Sequence, residues 1–327
     1  FNKKAEFIKG DVRNKKDWVK ALKGASYVFH EAGYMDFHLD FNTYFDVNST
    51  SMATMFSVII EKKYKVKKVV VASSQYVYGE GKYECTTHGI VYPELRLFEQ
   101  FEARDFEVRC PHDGNVMKPL LEKEDDLLKP INSYTESKKS LENIVMSLGK
   151  YLNIPVVALR YAIVHGPRQS FKNFYSGALR QFAVMALTSG IITMHEDSCQ
   201  LRDFVNYKDV VSANIAVLEN KKADFQIFNV ASGVATRVID LARLVAKECG
   251  VEFKHELPGL YRVATARNSI ADISKLKSIG WQPKFTIEDN VREYVAWIKN
   301  YPEAKKYLKI ALTNLGKSGV VRKVKKV

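Results

Sequence analysis

The sequence holds only four cysteines (Cys85, Cys110, Cys199 and Cys249) in 327 residues. That is too sparse for a disulfide scaffold, so a reduced, cytoplasmic protein is expected. No run of about 18 apolar residues occurs, so no transmembrane helix and no membrane partner are expected. The first residues, Phe1-Asn2-Lys3-Lys4-Ala5-Glu6, have no apolar signal core and no Met, and the expectation is a truncated reading frame. No turn of the form Gly-x-x-Gly-x-x-Gly is found either. What is present is ordinary for a globular chain. It is 46% hydrophobic and 27% charged, which excludes disorder as its main state.

The net charge of +13 raises nucleic acid, an anionic membrane or an anionic small substrate as partners. Its distribution narrows them. Eight of the positive charges lie in residues 304–327, which contain no acid, so the rest of the chain carries only +5. Residues 304–327 read as a basic tail whose role is solvation or weak anion attraction. With no aromatic–basic stacking pattern beside the charge, no nucleic acid is expected.

Short β-branched runs alternate with helical stretches through the first half. Glu6–Lys9, Tyr27–His30, Lys68–Ser73 and Pro155–Arg160 read as strands, and Lys15–Leu22, Phe45–Lys62 and Ser133–Tyr151 as helices. Continuous apolar strands between helices imply a parallel sheet covered on both faces. The right-handed crossover rule then gives an α/β, doubly wound, Rossmann-like sheet. Residues 1–165 are expected to form this cofactor-binding part, interrupted by an insert at 80–122. Residues 166–303 read mainly as a smaller mixed α/β domain for substrate, with helices near 177–188, 238–249 and 287–299 and a strand at 226–230.

Chemistry is expected at the carboxyl end of the strand Val69–Ala72, which runs into Ser73-Ser74. Downstream, Tyr134 and Lys138 stand at i and i+4 and share one helical face. An ammonium beside a phenol lowers a pKa that starts near 10, which would let Tyr134 exchange a proton near neutral pH. Ser74 can hydrogen-bond the same substrate oxygen. Ser133 and Glu136 have the spacing of a capping box that would start this helix.

These residues, with Val77-Tyr78-Gly79 after the serines, resemble the extended short-chain dehydrogenase/reductase family, specifically its NAD-dependent sugar-nucleotide epimerases and dehydratases. The resemblance extends over nearly all of residues 5–300. Gly10-Asp11-Val12, His30-Glu31-Ala32-Gly33, Val47-Asn48, Leu159–Gln169, Gln200–Val205, Ala271–Lys275 and Gly280–Pro283 are similar to further family segments. It implies NAD as cofactor, with Asp11, Val12, His30, Ala32, Gly33, Asn48, Ser73, Tyr134, Lys138, Tyr161 and Val164 around it. It implies a nucleoside-diphosphate sugar as substrate, with Ser74, Asn173, Arg168, Arg202, Arg262 and Arg267 as contacts. Guanidinium forks match phosphate oxygens. A homodimer through the two long helices is the family expectation. The family's first strand, glycine turn and helix, which hold the pyrophosphate, have no counterpart in this sequence. The chain as written should therefore bind NAD poorly and leave a sheet edge unpaired. His165, His195 and His255 have no partner at ligand spacing and read as structural or surface residues.

The insert holds Cys85-x2-His88, a gap of 21 residues and Cys110-x2-Asp113. Thiolate, imidazole and carboxylate all ligate zinc, and two x2 pairs at this separation suggest a closed structural site, with His112 as an alternative to Asp113. The stretch 83–113 resembles an insert in a subgroup that includes dTDP-L-rhamnose 4-epimerases.

The expected function is NAD-dependent 4-epimerisation of a nucleoside-diphosphate sugar through a transient 4-keto intermediate. A reductase or dehydratase on the same scaffold is the alternative, although Gln75-Tyr76 stand where a dehydratase needs an acid pair. A non-catalytic binding protein that has lost its cofactor site is the rival from another class.

Overall fold

Four segments rich in valine and other apolar residues lie side by side as one parallel sheet in the computed structural model, which describes residues 3–35, 40–170, 177–317 and 319–324. The chain runs through α1 (Lys15–Leu22), β1 (Tyr27–His30), α2 (Phe41–Phe45), a π turn (Asp46–Thr50), α3 (Ser51–Glu61) and β2 (Lys68–Ser74). A 3-10 turn (Gln75–Tyr78) leads to β3 (Tyr83–Cys85), β4 (Gly89–Val91), α4 (Phe98–Glu102) and β5 (Lys118–Pro119). Then come α5 (Ser133–Leu152), β6 (Val156–Tyr161), β7 (Ile163–His165), α6 (Ala178–Thr188), β8 (Ile191–Thr193) and β9 (Leu201–Asn206). The remaining elements are α7 (Tyr207–Glu219), β10 (Gln226–Val230), β11 (Ala235–Arg237), α8 (Val238–Cys249), β12 (Lys254–Glu256), β13 (Leu260–Arg262), α9 (Ser274–Lys277), α10 (Ile287–Ile298), α11 (Ala304–Lys317) and β14 (Val321–Lys323).

The main sheet has the order β1-β2-β6-β10 and every pairing is parallel. All seven residues of β2 are buried. Successive side chains of a strand point to opposite faces. Val69 and Val71 accordingly pack with Trp18, Met55, Phe56 and Leu141 under α1, α3 and α5, while Val70 packs with Val210, Val217 and Leu276 under α7 and α9. Each such valine contributes roughly 1.5–3 kcal/mol by leaving water. Helices on both faces make the sheet doubly wound. A further apolar cluster joins α6, α8, α10 and α11 with β8 and β9, and β9 pairs in parallel with β7 and antiparallel with β11.

The expectations differ from the structure in five places. Glu6–Lys9 is not a strand; among the described residues β1 is an edge, and without a partner an isolated segment cannot satisfy its backbone groups. The helix expected over 45–62 is α2, a π turn and α3, and the wider turn carries Asn48. α5 is capped by Asn132, whose side chain accepts from Thr135 N at 3.0 Å, one residue before the box read from Ser133 and Glu136. Residues 166–303 do not stay apart from the first half, because β10 returns to the main sheet beside β6. Residues 304–324 are not a solvated tail: the lysines of α11 face water, but Ala304 and Leu308 join the core, and β14 pairs with β13.

Leu308→Ala is expected to lower the free energy of unfolding by about 2 kcal/mol, read from urea titration. No change would mean that residues 304–317 are not packed.

Candidate active site

A cleft of about 430 Å³ opens at the carboxyl ends of β2 and β6, where parallel sheets of this kind place ligands. Its wall includes Ser73, Ser74, Tyr134, Lys138 and Tyr161 from the sheet side, and Arg202 and Arg262 from the opposite side. β2 delivers the serines, and the first turn of α5 delivers Tyr134 and, one turn later, Lys138.

The ammonium of Lys138 donates to the carbonyl of Ala72 at 2.7 Å, which ties α5 to the end of β2. Burial makes its charge costly and pulls its pKa down to about 8, against the upward pull of Glu31 and Glu142. Ser74 is hydrogen-bonded to the phenol of Tyr134, and its oxygen also accepts from Tyr76 N at 3.2 Å. Burial nevertheless pushes Tyr134 up to about 12, with Tyr76 adding to the rise. Burial therefore outweighs any lowering of this phenol by Lys138. The lysine is bound to Ala72, and loss of solvent around the phenol dominates.

Asn48 does not line the cleft. Its amide donates to Tyr34 O at 3.0 Å and to Ser137 Oγ at 2.8 Å, and its carbonyl oxygen accepts from Tyr34 N at 2.7 Å. It clamps the loop after β1, at Tyr34, to α5. In that loop Gly33 faces the lysine: a Cβ there would sit 3.4 Å from Lys138 Nζ, in van der Waals contact with it. Tyr161 accepts from Asn214 at 2.7 Å and donates to Glu31 at 2.9 Å.

Of the residues expected around a cofactor, Gly33, Ser73, Tyr134, Lys138, Tyr161 and Val164 line the cleft. His30, the last residue of β1, and Ala32, in the loop after it, lie outside its wall, and His30 is buried against Trp18 at 5.9 Å between ring centroids. Asp11 is paired with Arg13 at 2.6 Å, which holds its carboxyl down at about 2, and Val12 O accepts from Trp18 Nε1 at 2.7 Å. Ser73 donates to Glu142 at 2.6 Å, in a buried network with Arg160, so its hydroxyl serves the core.

Of the arginines, two face the cleft. Arg202 is held by the carbonyls of Leu201, Ala266 and Arg267, and Arg262 stands on β13. Arg267 is a correction: its guanidinium pairs with Asp197 at 2.6 and 2.7 Å, with Glu196 at 3.2 Å and with Glu107 at 3.1 Å, and it does not line the cleft. Arg168 is exposed and also lies outside the wall. Asn173 falls outside the described residues. His195 is a second correction, since it lines the cleft beside Glu196. Burial and the charge of Arg262 hold its pKa down at about 3, so it is neutral. No spacing marked His195 or Glu196 in the sequence, because they reach the cleft through a turn between two short strands.

In the insert, ligand atoms of Cys85, His88, Cys110 and Asp113 lie within 4.8 Å of one another. Asp113, rather than His112, is the fourth member. His88 Nδ1 is 3.5 Å from both sulfurs and 3.4 Å from Asp113 Oδ2, and Cys85 Sγ is 3.6 Å from the same oxygen. Tetrahedral zinc with bonds of about 2.3 Å to sulfur and about 2.0 Å to nitrogen or oxygen sets its ligands about 3.3–3.8 Å apart.

The profile of the family described as NAD dependent epimerase/dehydratase family matches residues 1–96 and 112–231, leaving out part of the insert. A dTDP-L-rhamnose 4-epimerase of Burkholderia thailandensis is 28% identical over 304 residues, spanning 91% of this chain and 82% of the relative. A putative UDP-glucose 4-epimerase of Methanocaldococcus jannaschii is 27% identical over 305 residues, covering 92% and 86%. Among solved structures, UDP-N-acetylglucosamine 4-epimerase from Methanobrevibacter ruminantium, in complex with UDP-N-acetylmuramic acid, is 26% identical with a TM-score of 0.70, covering 90% of this chain and 82% of that one. UDP-glucuronic acid 4-epimerase from Bacillus cereus, in complex with UDP-glucuronic acid and NAD, is 24% identical with a TM-score of 0.72, covering 91% and 83%, and shares the fold.

Lys138 should titrate near 8 in the ligand-free protein, followed by NMR of isotopically labelled lysine. Between that pH and about 10.5 the unfolded chain still holds the proton that the folded chain has released. This group's contribution to stability therefore rises with pH through that window. A titration above 10 would contradict the burial of the ammonium.

Proposed function

The chain belongs to the NAD dependent epimerase/dehydratase family, and from that premise we propose that it epimerises a nucleoside-diphosphate sugar at C4. The observation that carries this reading is the convergence on one cleft of Ser74, Tyr134 and Lys138 with Arg202 and Arg262. Relatives at 26–28% identity that span most of the chain carry 4-epimerase names, which supports it.

The nicotinamide end of NAD suits the cleft where Gly33 leaves space beside Lys138 and where Tyr161 and Val164 complete the wall. NAD, when bound, supplies a reversible hydride acceptor. The protein's own groups do the proton work. Tyr134 takes the proton of the C4 hydroxyl and returns it, and Ser74 donates a hydrogen bond to the same oxygen. Burial raises the pKa of this phenol, so its work as a base near neutral pH needs positive charge brought beside it, and Lys138 stands on the same helical face. Arg202 and Arg262 face the diphosphate. Neither Gln75 nor Tyr76 is an acid, which disfavours elimination of water. Residues 1–165 are retained as the cofactor part and 166–303 as mainly the substrate part.

The insert is proposed to hold one structural zinc ion through Cys85, His88, Cys110 and Asp113. Its own apolar cluster, Tyr83, Cys85, Val108, Cys110 and Met117, is small, so a metal would add the cross-link that the core lacks. Two thiols kept free for a metal suit a cytoplasmic setting. Among the described residues no helix is long and apolar enough to cross a membrane. A second copy of the chain is proposed as partner through α3 and α5, where Ile60 and Tyr151 are exposed.

Incubation with UDP- or dTDP-sugars and a large excess of NAD, which offsets the weak binding expected without the glycine turn, should give a C4 epimer detectable by NMR, and Tyr134→Phe should lower turnover by roughly 10²–10⁴. Accumulation of NADH without an epimer would sink the epimerase reading. Elemental analysis should find one zinc per chain, lost in Cys85→Ser with Cys110→Ser; a metal-free protein with an intact fold would contradict the site.

A further inference from the structure

β13 is three residues long, yet it presents Arg262 to the cleft. Gly259 just before it and Ala264 two residues after it both have positive φ (+77° and +51°), so it is a short straight run between two turns of the backbone. An alanine stays in that backbone state only where its surroundings hold it. Two sets of contacts do so. On one edge β14 pairs with it, Tyr261 opposite Arg322 and Arg262 opposite Val321, continued by Val324 N to Gly259 O at 2.9 Å and Val263 N to Val320 O at 3.1 Å. On one face lies α4 of the insert. Tyr261 and Arg262 point to opposite faces because they are neighbours in a strand. Tyr261 stacks on Phe101 at 4.6 Å and 11°, while Arg262 faces the cleft.

α4 and β14 are also joined to each other. The Arg322 guanidinium lies over Phe98 at 4.5 Å, and Val324 is buried with Phe101 and Tyr261. A further tie runs from the insert to the same wall: buried Arg96 pairs with Glu196 at 2.6 Å and donates to Thr265 O at 3.4 Å, and both Glu196 and Thr265 line the cleft. Leu260 O accepts from Glu196 N at 2.7 Å, which links β13 back to that wall.

We propose that β14 and α4 act as one brace on the strand that carries Arg262, so that residues 321–324 govern substrate binding although none of them lines the cleft. Arg322 and Val324 are positioning residues. The identity of the ligand rests on the proposed sugar-nucleotide reading, but the brace does not. A strand whose edge is left unpaired opens more readily and presents its side chains less uniformly. The loss should therefore appear in binding at the Arg262 end and leave the Lys138 end unchanged.

The test uses the full chain with Arg322→Ala, at an exposed position, and with the stronger Val324→Asp. Amide hydrogen exchange should rise about tenfold in residues 193–196 and 260–265, with β2 and α5 unchanged. The dissociation constant for UDP, by calorimetry, should rise about fivefold or more while that for NAD stays within about twofold. Unchanged exchange at 193–196 and 260–265 in both variants overturns the brace, as does an equal rise over the whole chain. If the unsubstituted protein binds no UDP, the sugar-nucleotide reading fails, and the exchange pattern still decides the brace.

Discussion

The hydrogen bond from Lys138 to the carbonyl of Ala72 joins the two elements on which the site depends. β2 is fixed by parallel neighbours on both sides and by burial of every residue. α5 is fixed by its apolar face, where Leu141 and Val145 meet the sheet. The lysine links them at the one level where β2 turns into Ser73-Ser74. Its placement brings Tyr134 to Ser74 and puts an ammonium beside Gly33. The cost of burying that ammonium appears as its lowered pKa, and the carbonyl it bonds offsets part of the cost.

The centre of the fold was legible in the sequence because local pattern and tertiary role agree there. Val69-Val70-Val71-Ala72 is apolar at every position, which only a strand covered on both faces requires. Tyr134 and Lys138 are one helical turn apart, and α5 exists as read, apart from a cap shifted to Asn132. What escaped is long-range. Arg267 resembles a phosphate ligand in sequence, but Asp197, Glu196 and Glu107 meet its guanidinium from three other segments. Asn48 reads as a cofactor contact, but a π turn directs it at Tyr34 and Ser137. His195 enters the cleft through tertiary packing alone.

Residues 304–327 show how charge can mislead. Eight cations without an acid suggest a solvated tail, yet α11 keeps its lysines in water and commits Ala304 and Leu308 to the core. The insert is similar in kind. Its paired cysteines gather with His88 and Asp113 at one point, while Arg96, Phe98 and Phe101 fasten its middle to the wall of the cleft. Insert and chain end thus meet on β13, far apart in sequence and adjacent in space.

In the proposed reaction a C4 centre is oxidised and restored in the cleft beside Ser74 and Tyr134. Conversion of a UDP-sugar carrying deuterium at C4, followed by NMR, tests it most directly. The label is expected to stay at C4 in both epimers, because the same hydride leaves and returns. Loss of the label to solvent, or inversion at a different carbon, would contradict it.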